Sequence, residues 1–251
     1  MNESRKGLKL KARRALMGRY LTGAGAVALV WGIRMLLLIM TQICVVFSGI
    51  LSFSTGKGSL AVLMVLGFCV LAFFLFQFLL IPGMVRLYLN ICRGQEAGVG
   101  EIFWGFHNHG GKFLGIGILA LVLGAVLITP EIILALAAEV TGDWRFARLF
   151  LSGYNLLLAA AGIYVSLTYG QFYMILADDP AESVLLALSR SGEMMKGSRL
   201  RLLALWLSFL GWVPVVCLTL GVSLLWLIPY ITCAQAFFYL EVKARWSKDQ
   251  E

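Results

Sequence analysis

The sequence predicts an all-α membrane protein: a polytopic helix bundle of about six transmembrane helices with amphipathic cytoplasmic helices. Three observations predict it. The 251 residues are 60% hydrophobic and only 14% charged, where soluble chains average about 45–50% and roughly 25%. Mean hydropathy is +0.87, and the apolar residues are gathered into runs long enough for the about 20 residues that a helical span needs. Those runs lack period-2 alternation and are rich in Leu, Ala and Gly, which favours helices over a barrel.

Met1 to Arg19 is basic and precedes an apolar stretch. That stretch is far longer than a signal core, so it reads as an uncleaved first span behind a basic cytoplasmic segment, 1–20. The first two spans fall at about 21–51 and 60–81, joined by a Ser/Gly turn around Lys57. The next two fall at about 113–138 and 149–177, separated by Thr141-Gly142-Asp143-Trp144-Arg145. The last apolar block, Leu200 to Leu240, is too long for one span and divides near Gly221 into 200–219 and 222–240; a re-entrant final hairpin is the alternative count. One integral membrane domain accounts for 1–251.

The net charge of +8 does not point to nucleic acid, because most Lys and Arg flank apolar runs and no basic domain remains over. With six spans, seventeen of them lie on one side and three (Lys57, Arg145, Arg148) on the other. The expected partner is the lipid bilayer, with both termini cytoplasmic. The five cysteines are scattered without a CxxC pair, so neither a disulfide framework nor a zinc site is expected.

After the fourth span, Asp179 reads as an N-cap, Pro180 as the first helical position, Glu182 as the partner in a capping box and Gly197 as the stop. The expected amphipathic helix is 179–197, with Val184, Leu185, Leu188 and Met195 near one face. Asp178 beside it is a charge at a helix N-terminus; an acid–base or cation-binding role for the Asp178–Asp179 pair is the alternative. Three segments entering the membrane share a Gly followed by a basic residue (Gly18-Arg19, Gly111-Lys112, Gly197-Ser198-Arg199). Two returning ones share Leu-Ile-Pro, at Pro82 and Pro229. The pattern suggests three parallel helical hairpins.

From about Pro82 onward the order of polar and Gly/Pro punctuation is specific. It runs through Tyr173-Met174-Ile175-Leu176-Ala177-Asp178-Asp179-Pro180, then Ala187, Ser191 and Met194-Met195-Lys196-Gly197. Leu207-Ser208-Phe209-Leu210-Gly211-Trp212, Leu218-Thr219-Leu220-Gly221 and Leu224-Leu225-Trp226-Leu227-Ile228-Pro229-Tyr230 follow. A weaker earlier stretch is Arg93-Gly94 with Ile102-Phe103-Trp104-Gly105-Phe106. In these the chain resembles the bacterial membrane-protein family catalogued as domain of unknown function 975. The N-terminal third matches more loosely, and Thr129-Pro130-Glu131 with the longer connection through Arg148 departs from the family pattern. The resemblance implies a bacterial cytoplasmic membrane location and supplies no activity.

Two charges lie inside apolar runs, Arg34 and Glu131. Counted from the cytoplasmic ends they lie about 20 and about 27 Å deep, and intramembrane charges usually face the bundle interior with a partner. An Arg34–Glu131 pair is the expectation; Glu131 at the outer interface with Arg34 snorkelling is the alternative. Gln42, Gln77, Asn155, Tyr164, Tyr169 and Gln171 either line a polar cavity or bond across helices. His107-Asn108-His109 lacks an evident third ligand, so no metal is expected. No GxSxG, HExxH or Walker loop is present, so no cofactor and no enzyme activity is expected. The spans carry few ionisable groups. A non-enzymatic scaffold, accessory or envelope-maintenance component is therefore the expected role, with a protein, solute or lipid partner, and a small transporter or channel is the alternative.

Overall fold

The computed structural model describes residues 4–55, 59–107, 110–142 and 144–248. Lys57, His109 and Asp143 lie outside the described residues. Among the described residues every regular element is helical. Six stretches of the described residues are long and apolar enough to cross a membrane: Tyr20–Ile50, Val62–Cys92, Gly110–Thr141, Trp144–Asp178, Arg199–Leu218 and Leu224–Lys248. All five cysteines are free.

Helix α1 (Arg5–Leu16) is capped by Ser4, whose side chain accepts from the Gly7 amide at 3.2 Å. Its Leu8, Ala12 and Leu16 recur every four residues, so they form one stripe, which is buried. A left-handed Gly18 (φ 79°) ends it and turns the chain into α2 (Tyr20–Thr55). Helix α3 (Ser59–Cys92) returns alongside α2. The second span was expected to stop at Ile81, before proline; instead Pro82 lies inside α3, which continues to Cys92. Proline removes one ladder bond there, but Leu87, Tyr88, Leu89 and Ile91 beyond it are buried, and that packing holds the extra turns helical.

A 3₁₀ turn, Val99–Phe103, and α4 (Trp104–His107) then press against α3. The contact needs two glycines. A Cβ on Gly83 would lie 2.1 Å from the Ile102 carbonyl oxygen, and one on Gly105 would lie 2.2 Å from that of Leu79. Helix α5 (Gly110–Thr141) and α6 (Trp144–Tyr169) form the second hairpin, and α6 continues after a break as α7 (Phe172–Asp178).

Helix α8 spans Val184–Met194, shorter than the expected 179–197. Its N-cap is Ser183, which accepts from the Leu186 amide at 3.3 Å; Asp179 instead closes α7 and accepts from the Ala181 amide. The buried face is carried by Ala187, Ser191 and Met194, while Leu185 is exposed. Small residues win the inner face because α8 must approach α6 closely: the Ser191 hydroxyl donates to the Thr168 carbonyl at 3.0 Å. Gly197 stops the segment in the left-handed region, as expected.

The third hairpin differs from the others. Its first limb is broken into α9 (Arg199–Leu207), a 3₁₀ turn at Leu210–Trp212 and α10 (Val213–Leu218), and its second is α11 (Leu224–Lys248). Pro82 sits late in α3 and Pro229 early in α11, so the two Leu-Ile-Pro motifs occupy opposite parts of their helices. The buried core gathers at one end of the molecule, where α1, the near ends of α2 and α3, α7, α8, α9 and α11 meet. The far limbs of α2, α3, α5 and α6 expose large apolar side chains from Met35 to Phe53, Leu60 to Phe74, Ile118 to Leu136 and Phe146 to Val165. Such surfaces are at home in lipid.

Candidate functional site

Two arrangements stand out near the packed end. The first is a cavity of about 300 Å³ between α2, α3, the α6–α7 break and α11, lined by Trp31, Arg34, Leu80, Tyr173, Thr232 and Gln235 among others. Arg34 Nε donates to Gln77 Oε1 at 2.6 Å, which ties α2 to α3 within the apolar layer. Among the described residues the remaining guanidinium nitrogens have no partner, and no ion pair joins Arg34 to Glu131. The expected pair fails on helix order: α5, which carries Glu131, packs on α3, α4 and α6. Equal depth does not make two helices neighbours. Tyr88 closes the cavity's near side, donating to the Gly23 carbonyl at 3.1 Å.

The six residues expected to line a cavity do not converge. Gln77 bonds Arg34 through its oxygen, and its Nε2 is buried without a partner. Gln42 is exposed, Asn155 donates to Leu151 of its own helix, and Gln171 is buried at the α6–α7 break. Tyr164 accepts from Arg199 at 3.1 Å, with the guanidinium 5.0 Å from its ring centroid, and Tyr169 lies at the foot of α6 beside Gly192. The cavity's actual polar lining from α11, Thr232 and Gln235, carries no charge or motif to mark it in sequence.

The second arrangement is an ion-paired collar around Asp178. Arg93, just past α3, donates to Asp178 Oδ1 at 2.6 Å, and Tyr239 of α11 donates to Oδ2 at 3.1 Å. Lys243 of α11 also pairs with Oδ2. One carboxylate thus fastens three elements together. The neighbouring turn is held likewise: Lys112 at the start of α5 donates to the carbonyls of Pro180 at 2.6 Å and Glu182 at 2.7 Å. The buried Glu182 carboxylate pairs with Arg190 at 2.8 Å, with its Oε1 left unpartnered. Arg201 meets Glu241 at 2.8 Å, joining α9 to α11. Glu182 therefore serves an ion pair rather than the expected capping box. Nearby, burial pushes the Glu101 carboxyl above its ordinary range despite Arg86 and a 2.7 Å bond from Asn90. Among the described residues no group of three metal-ligating side chains occurs.

The Asp178-Asp179-Pro180 turn, the Ser191 contact and the Gly105 approach are thus structural joints that coincide with the motif positions. The family model for the Protein of unknown function DUF975 matches residues 1–246. The chain belongs to the DUF975 family. The match takes in α1 and the first hairpin, where the resemblance read from the residues was loosest. No curated protein and no solved structure matches.

Proposed function

We propose that this DUF975 member works by binding rather than by catalysis or transport, as a non-enzymatic scaffold or accessory component of the bacterial cytoplasmic membrane. On this reading both termini face the cytoplasm. The observation that carries it is how the ionisable groups are used. Asp178, Glu182 and Glu241 are engaged with Arg93, Lys243, Arg190 and Arg201 in pairs that hold elements together. Ion-coupled carriers instead need charges that are free to change partners along a path. Further out, Gln42 and Asn155 lie on exposed faces rather than along an interior route. The collar, with α8 at its edge, is the surface offered to a partner.

One observation favours a second reading, a carrier for an anionic amphiphile such as a lipid. The Arg34 guanidinium lines a cavity between helices, and unengaged nitrogens in an apolar setting suit a phosphate or carboxylate headgroup. Native mass spectrometry of the protein in its own lipids separates the two. The scaffold reading expects a stoichiometric protein partner that is lost on charge reversal along α8 and retained in Arg34→Gln. A single lipid bound in fixed ratio and lost in Arg34→Gln, together with lipid exchange by reconstituted protein, would replace it with the carrier.

A further inference from the structure

We infer that the α9–α11 hairpin is a re-entrant membrane anchor. It seats its apolar tip among the acyl chains of the leaflet next to the terminus-bearing end and never reaches the far face, so the chain crosses the bilayer four times. Length and composition alone allow six crossings; the axial register of α11 against α2 and α3 decides otherwise.

Three contacts fix that register. A Cβ on Gly23, near the start of α2, would lie 3.3 Å from Pro229 Cβ. Tyr88 reaches the same Gly23 carbonyl from α3. Cys92, the last residue of α3, lies 3.7 Å from the Cys233 carbonyl. Beyond Pro229, α11 has only Leu224–Ile228 left, about 7.5 Å of helix, whereas α2 continues from Gly23 to Thr55 for about 48 Å. The tip therefore stops more than about 30 Å short of the far end of α2, and any tilt of α11 lowers it further. The level of Tyr88 and Pro229 is also where Arg86 lies 4.7 Å from the Trp104 ring centroid, the kind of cation and indole pairing that marks a membrane interface.

The tip is built for lipid. No charged residue lies between Arg201 and Glu241, whereas the sequence linking the two limbs of each earlier hairpin does carry charge. Leu218 and Leu220 are 84% and 94% exposed, and Trp212 and Trp226 are exposed beside them. The turn also satisfies its own polar groups. Thr219 Oγ1 bonds the Val215 carbonyl, the Ser223 hydroxyl and the Ser223 amide, and the Gly221 amide donates to Val216 at 2.9 Å. Backbone in hydrocarbon requires such closure and backbone in water does not. Between the limbs, a groove of about 400 Å³ lined by Trp206, Phe209, Val213, Leu224 and Leu227 opens outward; its occupant is an acyl chain.

The test replaces Cys44, Cys69, Cys92 and Cys217 by alanine, keeps the buried Cys233, and adds single cysteines at Leu220, Phe53, Val140 or Lys248. An impermeant maleimide is applied to either side of sealed membranes. From the side that modifies Phe53→Cys and Val140→Cys, Leu220→Cys is expected to react less than about one-tenth as much, since a thiol in hydrocarbon does not ionise. Equal labelling from that side overturns the inference. Spin labels at Leu220 and Phe53 in nanodiscs give a second reading that needs no accessibility. More than about 30 Å upholds the register, and less than about 20 Å overturns it.

Discussion

Asp178 joins the end of α3, α7 and α11 through one carboxylate. Its carboxylate receives Arg93, Tyr239 and Lys243 at once, from the end of α3 and from α11, and its side chain is only 11% exposed. Asp178→Asn keeps the shape and removes the charge, leaving two cations facing each other. The expected loss is about 2 kcal/mol, read as a lower melting temperature in detergent. Combining it with Lys243→Met should cost much less than the sum of the two single changes, because the two side chains share one interaction. Additive losses would show that Lys243 contributes nothing through Asp178. Glu101 makes a pH prediction. Burial raises its folded pKa above the unfolded value, so folding favours its protonated form. That contribution is full below the unfolded pKa of about 4.3 and is lost as pH rises through the folded value. Glu101→Gln keeps the oxygen that Asn90 bonds. It should flatten the decline in melting temperature just above that pH, and an unchanged profile would assign the decline elsewhere.

At the scale of elements, the joint between α3 and the 99–107 segment is the most sharply specified. A Cβ at Gly83 meets backbone at 2.1 Å, while one at Gly117 meets only the Phe78 side chain at 2.9 Å. Backbone cannot rotate away as a side chain can. Gly83→Ala should therefore cost about 2–3 kcal/mol and Gly117→Ala about 1 kcal/mol or less, measured as loss of folded protein on heating. Equal losses would mean that the 99–107 segment moves freely off α3. Much of this level was legible in the sequence, because apolar runs of span length and Gly or basic residues at their ends are local signals. Gly197 does stop its segment where it was expected to, while the left-handed turn at Gly18 carries no such signal beyond the glycine itself. What escaped was non-local. Pro82 reads as a stop, yet α3 runs on through it because the turns beyond find a core. Asp179-Pro180 reads as a helix start, but Lys112, 68 residues back in the chain, pins the Pro180 carbonyl and makes the segment a turn. Arg34 is legible as the charge inside the first span, but its bond to Gln77 is not, because depth along a helix says nothing about which helix stands beside it.

Across the whole molecule, stability is polarised. Phe113, Leu176, Leu202, Phe238 and Val242 lie in one buried cluster at the terminus-bearing end, where α1 and α11 bring the two ends of the chain together. The far limbs are joined within hairpins, as where Tyr154 of α6 donates to the Leu127 carbonyl of α5 at 2.7 Å. In a bilayer the driving force for folding differs between these two regions. A side chain facing lipid is as well solvated before helices associate as after, so it contributes little to association. A side chain in the near cluster is removed from its surroundings and close-packed, and truncating it leaves a cavity. Phe238→Ala, with no exposure in the native state, is expected to cost about 3–5 kcal/mol. Leu136→Ala, 63% exposed on α5, is expected to cost under about 0.5 kcal/mol. Both can be read from reversible unfolding in mixed micelles, compared at equal protein concentration. Comparable costs would mean that the far limbs are packed against something in the membrane, a second copy or a partner. A concentration-dependent loss in Leu136→Ala alone would single out the second copy, since only association makes stability depend on protomer concentration.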